Sequence, residues 1–290
     1  MRLDYFSARG DLLPLVGNEY FELIHIDGLT KAGTELAATR RGNGDGDTVS
    51  AATAIARTII IDLRIKNGVS VEEAKREVLR CVKIKQTGRL EWEQDGRPLI
   101  IEGIVEDIDL PRFTNTATMQ ISLHCSQPFW EAADEAVQQI NEAIALHYFV
   151  DGLGDMLYFP EVGIPFGQYD TIRTKELYNS GDVAVGLEIT IVAYATVTNP
   201  IIYDNRGRFL GVGYGEGSKM VQLKAGEVIT ITTGQGQKDI MFKGQSILHK
   251  LKPQSSWLQL EAGDNLFTIN SDDERTDNMT INLAYKPRYV

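Results

Sequence analysis

The chain has 290 residues, enough for one large domain or two ordinary ones. It carries 29 Lys plus Arg against 40 Asp plus Glu, a formal net charge of −11. A duplex-binding protein needs a basic face to displace counterions, so this balance argues against one; a surface that repels passing DNA suits a conduit better than a reader.

No stretch approaches the ~20 apolar residues needed to span a bilayer. The N-terminal segment MRLDYFSARGDLLPLVG has no apolar signal-peptide core, so a soluble chain made in the cytoplasm is expected. Cys81 and Cys125 then read as small buried apolar residues rather than a disulfide.

Residues 19–30, EYFELIHIDGLT, predict a strand ending in an Asp27-Gly28 turn. The small, polar, glycine-rich run 31–54 predicts a long exposed loop or hairpin tip. RTIIIDLRIKNG (57–68) is a strong strand with apolar residues on both faces, Ile59 and Ile61 on one and Ile60 on the other. SVEEAKREVLRCVK (70–83) is the clearest helix. Its apolar stripe is Val71, Ala74, Val78 and Val82, flanked by Leu79 and Cys81, and Ser70 and Glu73 have capping-box spacing.

Strands around an Asp95-Gly96 turn follow over 88–110, then TATMQISLHCSQPFW (116–130). EAADEAVQQINEAIALH (131–147) has a second helical pattern, with Ala133, Val137, Ile140 and Ile144 on one side, and VDGLGD (150–155) breaks it. From about residue 153 short strands and turns alternate every 8–12 residues, the pattern of a β-sandwich or barrel. Three of these turns repeat one design: Asp182, Glu227 and Asp264 each follow a glycine and precede an alternating apolar run. They read as turn chemistry, with glycine supplying positive φ and the acid bonding backbone amides, and not as a scattered active site.

The search for chemistry returns little. Glu131/Asp134/Glu135 and Asp272/Asp273/Glu274 are the candidate carboxylate pairs for glycoside hydrolysis, but they read as a helix start and a polar turn. GNGDGDT (42–48) faintly resembles a calcium loop, making Asp45 and Asp47 the candidate metal ligands. It lacks the further oxygens and the glutamate of an EF-hand. GVGYGEG (211–217) is followed by a strand-like segment where a phosphate cradle needs a helix. His124 and Cys125 are adjacent in a strand, so they point to opposite faces and form no dyad. No catalytic residue and no cofactor is expected, which points to a binding or structural role.

Several segments together resemble one family. YFELIHIDGLT, RTIIIDLRIK with the 70–83 helix, and MQISLHCSQPFW resemble the N-terminal domain of distal tail proteins of long-tailed, non-contractile bacteriophages. VTNPIIYDN, LKAGEVITITTGQGQKDI, SSWLQLEAGDNLFTI and INLAYKPRYV resemble the C-terminal domain of that family, in that order. The resemblance implies a mainly β protein. Residues 1–131 would be a β-rich ring-forming domain with one helix, 132–152 a helical linker, and 153–290 a galectin-like β-sandwich. It further implies a homo-hexameric virion protein at the distal end of the tail, synthesised in the host cytoplasm. The ring would join the tail tube protein to the tail-associated hub protein, with DNA passing through unbound and no membrane contact. Some relatives hold receptor-binding proteins on an extension of the outer domain, and no long insertion is visible here. Two alternatives stand beside this reading. One is a host-surface carbohydrate-binding tail module, with Trp257 as the candidate stacking residue; the other is the equivalent ring protein of a contractile tail or tail-like bacteriocin.

Overall fold

The computed structural model describes residues 2–42, 44–94, 96–110, 118–140, 143–145, 167–169, 173–274 and 278–290. The protein is mainly β and divides into two compact units. One comprises Met1–Asp134 with Arg288–Val290; the other is Glu135–Pro287.

Alternation in the isoleucine-rich strand sets the first unit's architecture. The strands are β1 (Arg2–Ser7), β2 (Leu12–Pro14), β3 (Phe21–Asp27), β4 (Thr34–Arg40), β5 (Asp47–Ala54) and β6 (Arg57–Ile65). Helix α1 (Val71–Cys81) follows, then β7 (Thr87–Gln94), β8 (Arg97–Asp109), β9 (Thr118–Cys125) and β10 (Trp130–Ala132). They form an antiparallel sheet in the order β2-β1-β7-β8-β9-β6-β3; β10 joins it through β8, and the strand Arg288–Tyr289 pairs with β10. Glu131 accepts from Arg288 at 2.8 Å (Nε) and 2.6 Å (Nη2), fastening that last pair.

Ile59, Ile61, Leu63 and Ile65 of β6 face a core shared with Met119, Ile121 and Leu123 of β9 and with Ala74, Val78 and Cys81 of α1. The helix buries Ala74, Val78 and Val82 of the expected stripe and adds Cys81 to it, while Val71 is half-buried and Leu79 stays exposed. Ser70 is in the N-cap position but makes no side-chain cap, so the capping box read from its spacing does not form; its carbonyl accepts from the Ala74 amide instead. Both cysteines are free and buried. A close approach fixes Gly88: a Cβ there would lie 2.2 Å from the Tyr5 hydroxyl.

The second unit is a β-sandwich. One sheet orders the strands Ala136–Ile140, Met279–Tyr285, Glu188–Ala193, Val228–Thr232, Asp239–Phe242 and Gln245–Ser246. The other orders Thr174–Asn179, Gly263–Ser271, Pro200–Asp204 and Phe209–Gly211. Ile189, Ile191, Ile229, Ile231 and Ile281 from the first sheet meet Leu177, Ile202, Phe267 and Ile269 from the second in one core.

Among the described residues of 131–147 the expected helix does not form. Its described residues are strands, β10, Ala136–Ile140 and Ala143–Ala145. Ala136–Ile140 pairs in full register with Met279–Tyr285 and buries Ile140, so cross-strand pairing outweighs a helical pattern. The 150–155 break lies outside the described residues.

Candidate functional site

The β4–β5 hairpin stands apart from the nine-stranded sheet as its own two-stranded ribbon. All but one of its strand residues are exposed. The glycine-rich sequence that predicts a loop or hairpin tip thus builds an arm.

Directly opposed residues in an antiparallel pair share a face. Thr34 opposes Ala54, Leu36 opposes Ala52, and after a bulge Ala38 opposes Val49. One face of the arm therefore carries Thr34, Leu36, Ala38, Val49, Ala52 and Ala54, with Arg40 and Asp47 at its tip end, while the other carries Glu35, Ala37, Thr39, Thr48, Ala51 and Thr53; the larger apolar side chains, Leu36 and Val49, are both on the first. The bulge skips Ser50, whose hydroxyl turns to donate to the Ala37 carbonyl at 2.9 Å, and this brings Val49 onto the apolar face. Leu36 is 57% and Val49 53% exposed. A lone two-stranded hairpin is marginal in water, so an amphipathic one without a covering layer marks an interface.

The root of the arm is built stiffly. Gly28 has φ +79°, and a Cβ there would sit 2.2 Å from the Thr58 carbonyl oxygen. The Leu29 carbonyl accepts from Arg57 Nη1 at 2.9 Å and from the Trp130 indole at 2.8 Å. Burial pushes the Arg57 pKa down, and its Nε and Nη2 find no partner. The Ile55 amide donates to Gly33 and the Arg41 amide to Gly46, closing both ends of the ribbon.

The sheet's open face, opposite its core, is acidic. Cross-strand rows place His25, Asp62, Gln120 and Asp109 side by side, and next to them Asp27, Ile60, Ser122 and Asp107. Asp4, Glu91, Glu93 and Glu102 continue that face across β1, β7 and β8. Its arginines Arg2, Arg64 and Arg89 pair with Asp4, Glu22 and Glu91, which leaves the other acids as excess negative charge.

The residues singled out in the sequence lie elsewhere. Asp45 and Asp47 sit exposed at the arm's tip; among the described residues no group of three His, Cys, Asp or Glu side chains could hold a metal. Trp257 is half-buried against the sandwich core, with Lys238 Nζ 5.9 Å from its ring centroid. The acids examined as catalytic pairs are structural acceptors: Glu131 holds Arg288, Asp272 accepts from Asn199 at 2.6 Å, and Asp273 from the Thr198 amide and the Ser271 hydroxyl. His124 is exposed and Cys125 buried, on opposite faces. In GVGYGEG, Gly213 leaves room for Asn199, since a Cβ there would lie 2.3 Å from Asn199 Oδ1.

Among the three repeated turns, Glu227 bonds its own loop. It accepts from the Lys224 amide at 3.0 Å, and Lys243 holds its carboxyl below the usual range. In the other two, neighbouring asparagines bond the turn as well: Asn179 accepts from the Gly181 amide, and Asn265 accepts from the Glu261 amide and donates to the Glu261 carbonyl.

Comparison with known proteins assigns the class. Residues 180–289 match the family model described as the siphovirus-type tail component, C-terminal domain. That segment of the sandwich is similar to this family of phage tail components, and the resemblance read from the sequence is borne out. The particular fold is that of a distal tail protein. The crystal structure of phage SPP1 Dit, described as a paradigm of the hub adsorption apparatus in phages infecting Gram-positive hosts, superposes with a TM-score of 0.64 at 13% identity, over 99% of each chain. A chain of the phage p2 baseplate in its activated conformation gives a TM-score of 0.46 at 9% identity, over 98% of this chain and 97% of that one. No curated protein sequence matches.

Proposed function

We propose that this chain is a structural ring protein of the distal tail: six copies close around the tail axis, joining the tail tube to the tail-associated hub. The observation that carries the reading is the β4–β5 arm. Its face bearing Leu36 and Val49 has no covering layer among the described residues, and its root is pinned by Arg57 and Trp130. A protruding element that fits a surface elsewhere on the same molecule makes a heterologous contact, the kind that closes into rings. The likeness of fold to SPP1 Dit along the whole chain supports the same reading.

The open face of the sheet is the wall offered to DNA. A lining with excess carboxylate, including Asp27, Asp62, Asp107 and Asp109, repels phosphate and lets the duplex pass without sticking.

Sedimentation of the purified chain over a range of concentrations, with negative-stain imaging of the heaviest species, tests the proposal. Six-fold rings with a central hole are expected. A chain that stays monomeric at the highest concentration, both alone and with the tube and hub proteins added, refutes it.

A further inference from the structure

We infer that the arm of one copy seats on a ledge formed by α1 and β2 of the next copy. This rests on the ring reading above and names the surface through which the ring closes. The strand order supplies the geometry: β3 and β6, which carry the arm between them, lie at one edge of the sheet, and β2 lies at the other. A donor at one edge and an acceptor at the opposite edge is the head-to-tail arrangement a closed ring requires.

The ledge has the chemistry to receive the arm. Leu12, Val16 and Leu79 are 40%, 42% and 43% exposed. Leu12 and α1 are tied together, because the Leu12 carbonyl accepts from Arg80 Nη2 at 3.2 Å and Cys81 Sγ lies 3.6 Å from it. Three large apolar side chains thus stand exposed where β2 meets the helix. They match Leu36 and Val49 of the arm in character.

Charge agrees with the assignment. At the arm's tip Arg40 and Arg41 are adjacent and exposed, and among the described residues neither makes an ion pair; Arg41 donates to the Thr48 hydroxyl at 3.3 Å. The first turn of α1 offers exposed Glu73, beside Glu72, which is exposed too and already pairs with Lys75 at 3.0 Å. Cations at one end of the arm and acids on the helix fix its direction on the ledge. The arm's strands run up to eight residues, so its apolar face measures roughly 26 by 10 Å. Covering it and the ledge removes roughly 600 Å² from water, below the ~1,200 Å² of a stable interface. The adjoining edge of β3, which pairs only with β6, is placed to supply the rest. The acidic open face stays uncovered in this arrangement.

Paired cysteines test the seat. In a Leu36→Cys, Leu79→Cys double variant, mild oxidation is expected to give a ladder on denaturing gels up to six chains, absent from either single variant; native Cys81 and Cys125 are buried. Independently, Leu79→Asp changes an exposed side chain and is expected to raise the assembly concentration at least tenfold without altering the unfolding curve. Rings in the micrographs with no ladder, and Leu79→Asp assembling like the parent, overturn the seat and leave the ring standing. No rings and no ladder, both alone and with the tube and hub proteins added, overturn both.

Discussion

Arg57 is 3% exposed and sits among the apolar residues at the root of the arm. Its Nη1 donates to the Leu29 carbonyl, but Nε and Nη2 are buried without partners among the described residues. Each orphaned donor costs about 1–3 kcal/mol, whereas a hydrogen bond from a charged group is worth about 1.5–3 kcal/mol. Replacing the guanidinium with an apolar chain of similar length therefore removes more cost than benefit. The Leu29 carbonyl keeps the Trp130 bond in either case. Arg57→Met is expected to stabilise the first unit by about 1–3 kcal/mol. Urea unfolding followed by tryptophan fluorescence measures this. Trp92 and Trp130 report the first unit, and a Trp257→Phe background silences the second. The midpoint should rise with the slope unchanged. A fall of more than about 1 kcal/mol would refute the reasoning, because it would mean that the fold supplies those donors with an anion or ordered water.

Three other outcomes follow from the packing. Burial pushes the Cys125 thiol up to about 11 from an ordinary 9.0. Between those pH values the unfolded chain has lost the proton and the folded chain keeps it, so stability is full below pH 9 and falls by on the order of 2–3 kcal/mol by pH 11. Tyr5, pushed to about 12, extends the decline; Cys125→Ala should flatten the lower part of the curve in denaturant titrations at stepped pH. Gly88→Ala drives a methyl into the Tyr5 ring between β1 and β7 and should cost at least about 2 kcal/mol, measured by thermal unfolding; an unchanged midpoint would contradict the packing. In the sandwich, Asn199 is 1% exposed and bonds Asp272, the Gly215 carbonyl and the Val221 amide. Asn199→Ala leaves these unmatched and should destabilise the second unit by about 3 kcal/mol, read from Trp257 emission during urea unfolding.

Short-range signals were the legible ones. The α1 stripe, the β6 alternation and the turns at Gly28 and Gly226 rest on periodicity and positive φ, which neighbours in sequence determine. Ala136–Ile140 was illegible for the opposite reason: its partner strand begins at Met279, and only that pairing decides strand over helix. The arm was half legible. Its exposed glycine-rich character showed, but its apolar face depends on a bulge at Ser50 that spacing alone does not reveal. The repeated glycine-acid turns carried a true signal that was incomplete, since Asn179 and Asn265, within three residues of the acids that drew notice, also bond these turns. The acidic open face needed strand order, because its carboxylates come from β1, β3, β6, β7 and β8.

The chain leaves the first unit after Asp134 and returns at Arg288, where Arg288–Tyr289 lies against β10 and Arg288 grips Glu131. The sandwich is thus an insertion held by its two ends through neighbouring strands. Any pull on it would reach the first unit along two tethers at once, loading the β10 pair and the Glu131–Arg288 bridge together. Loss of residues 288–290 would therefore wound the unit in which the chain begins and spare the one just completed.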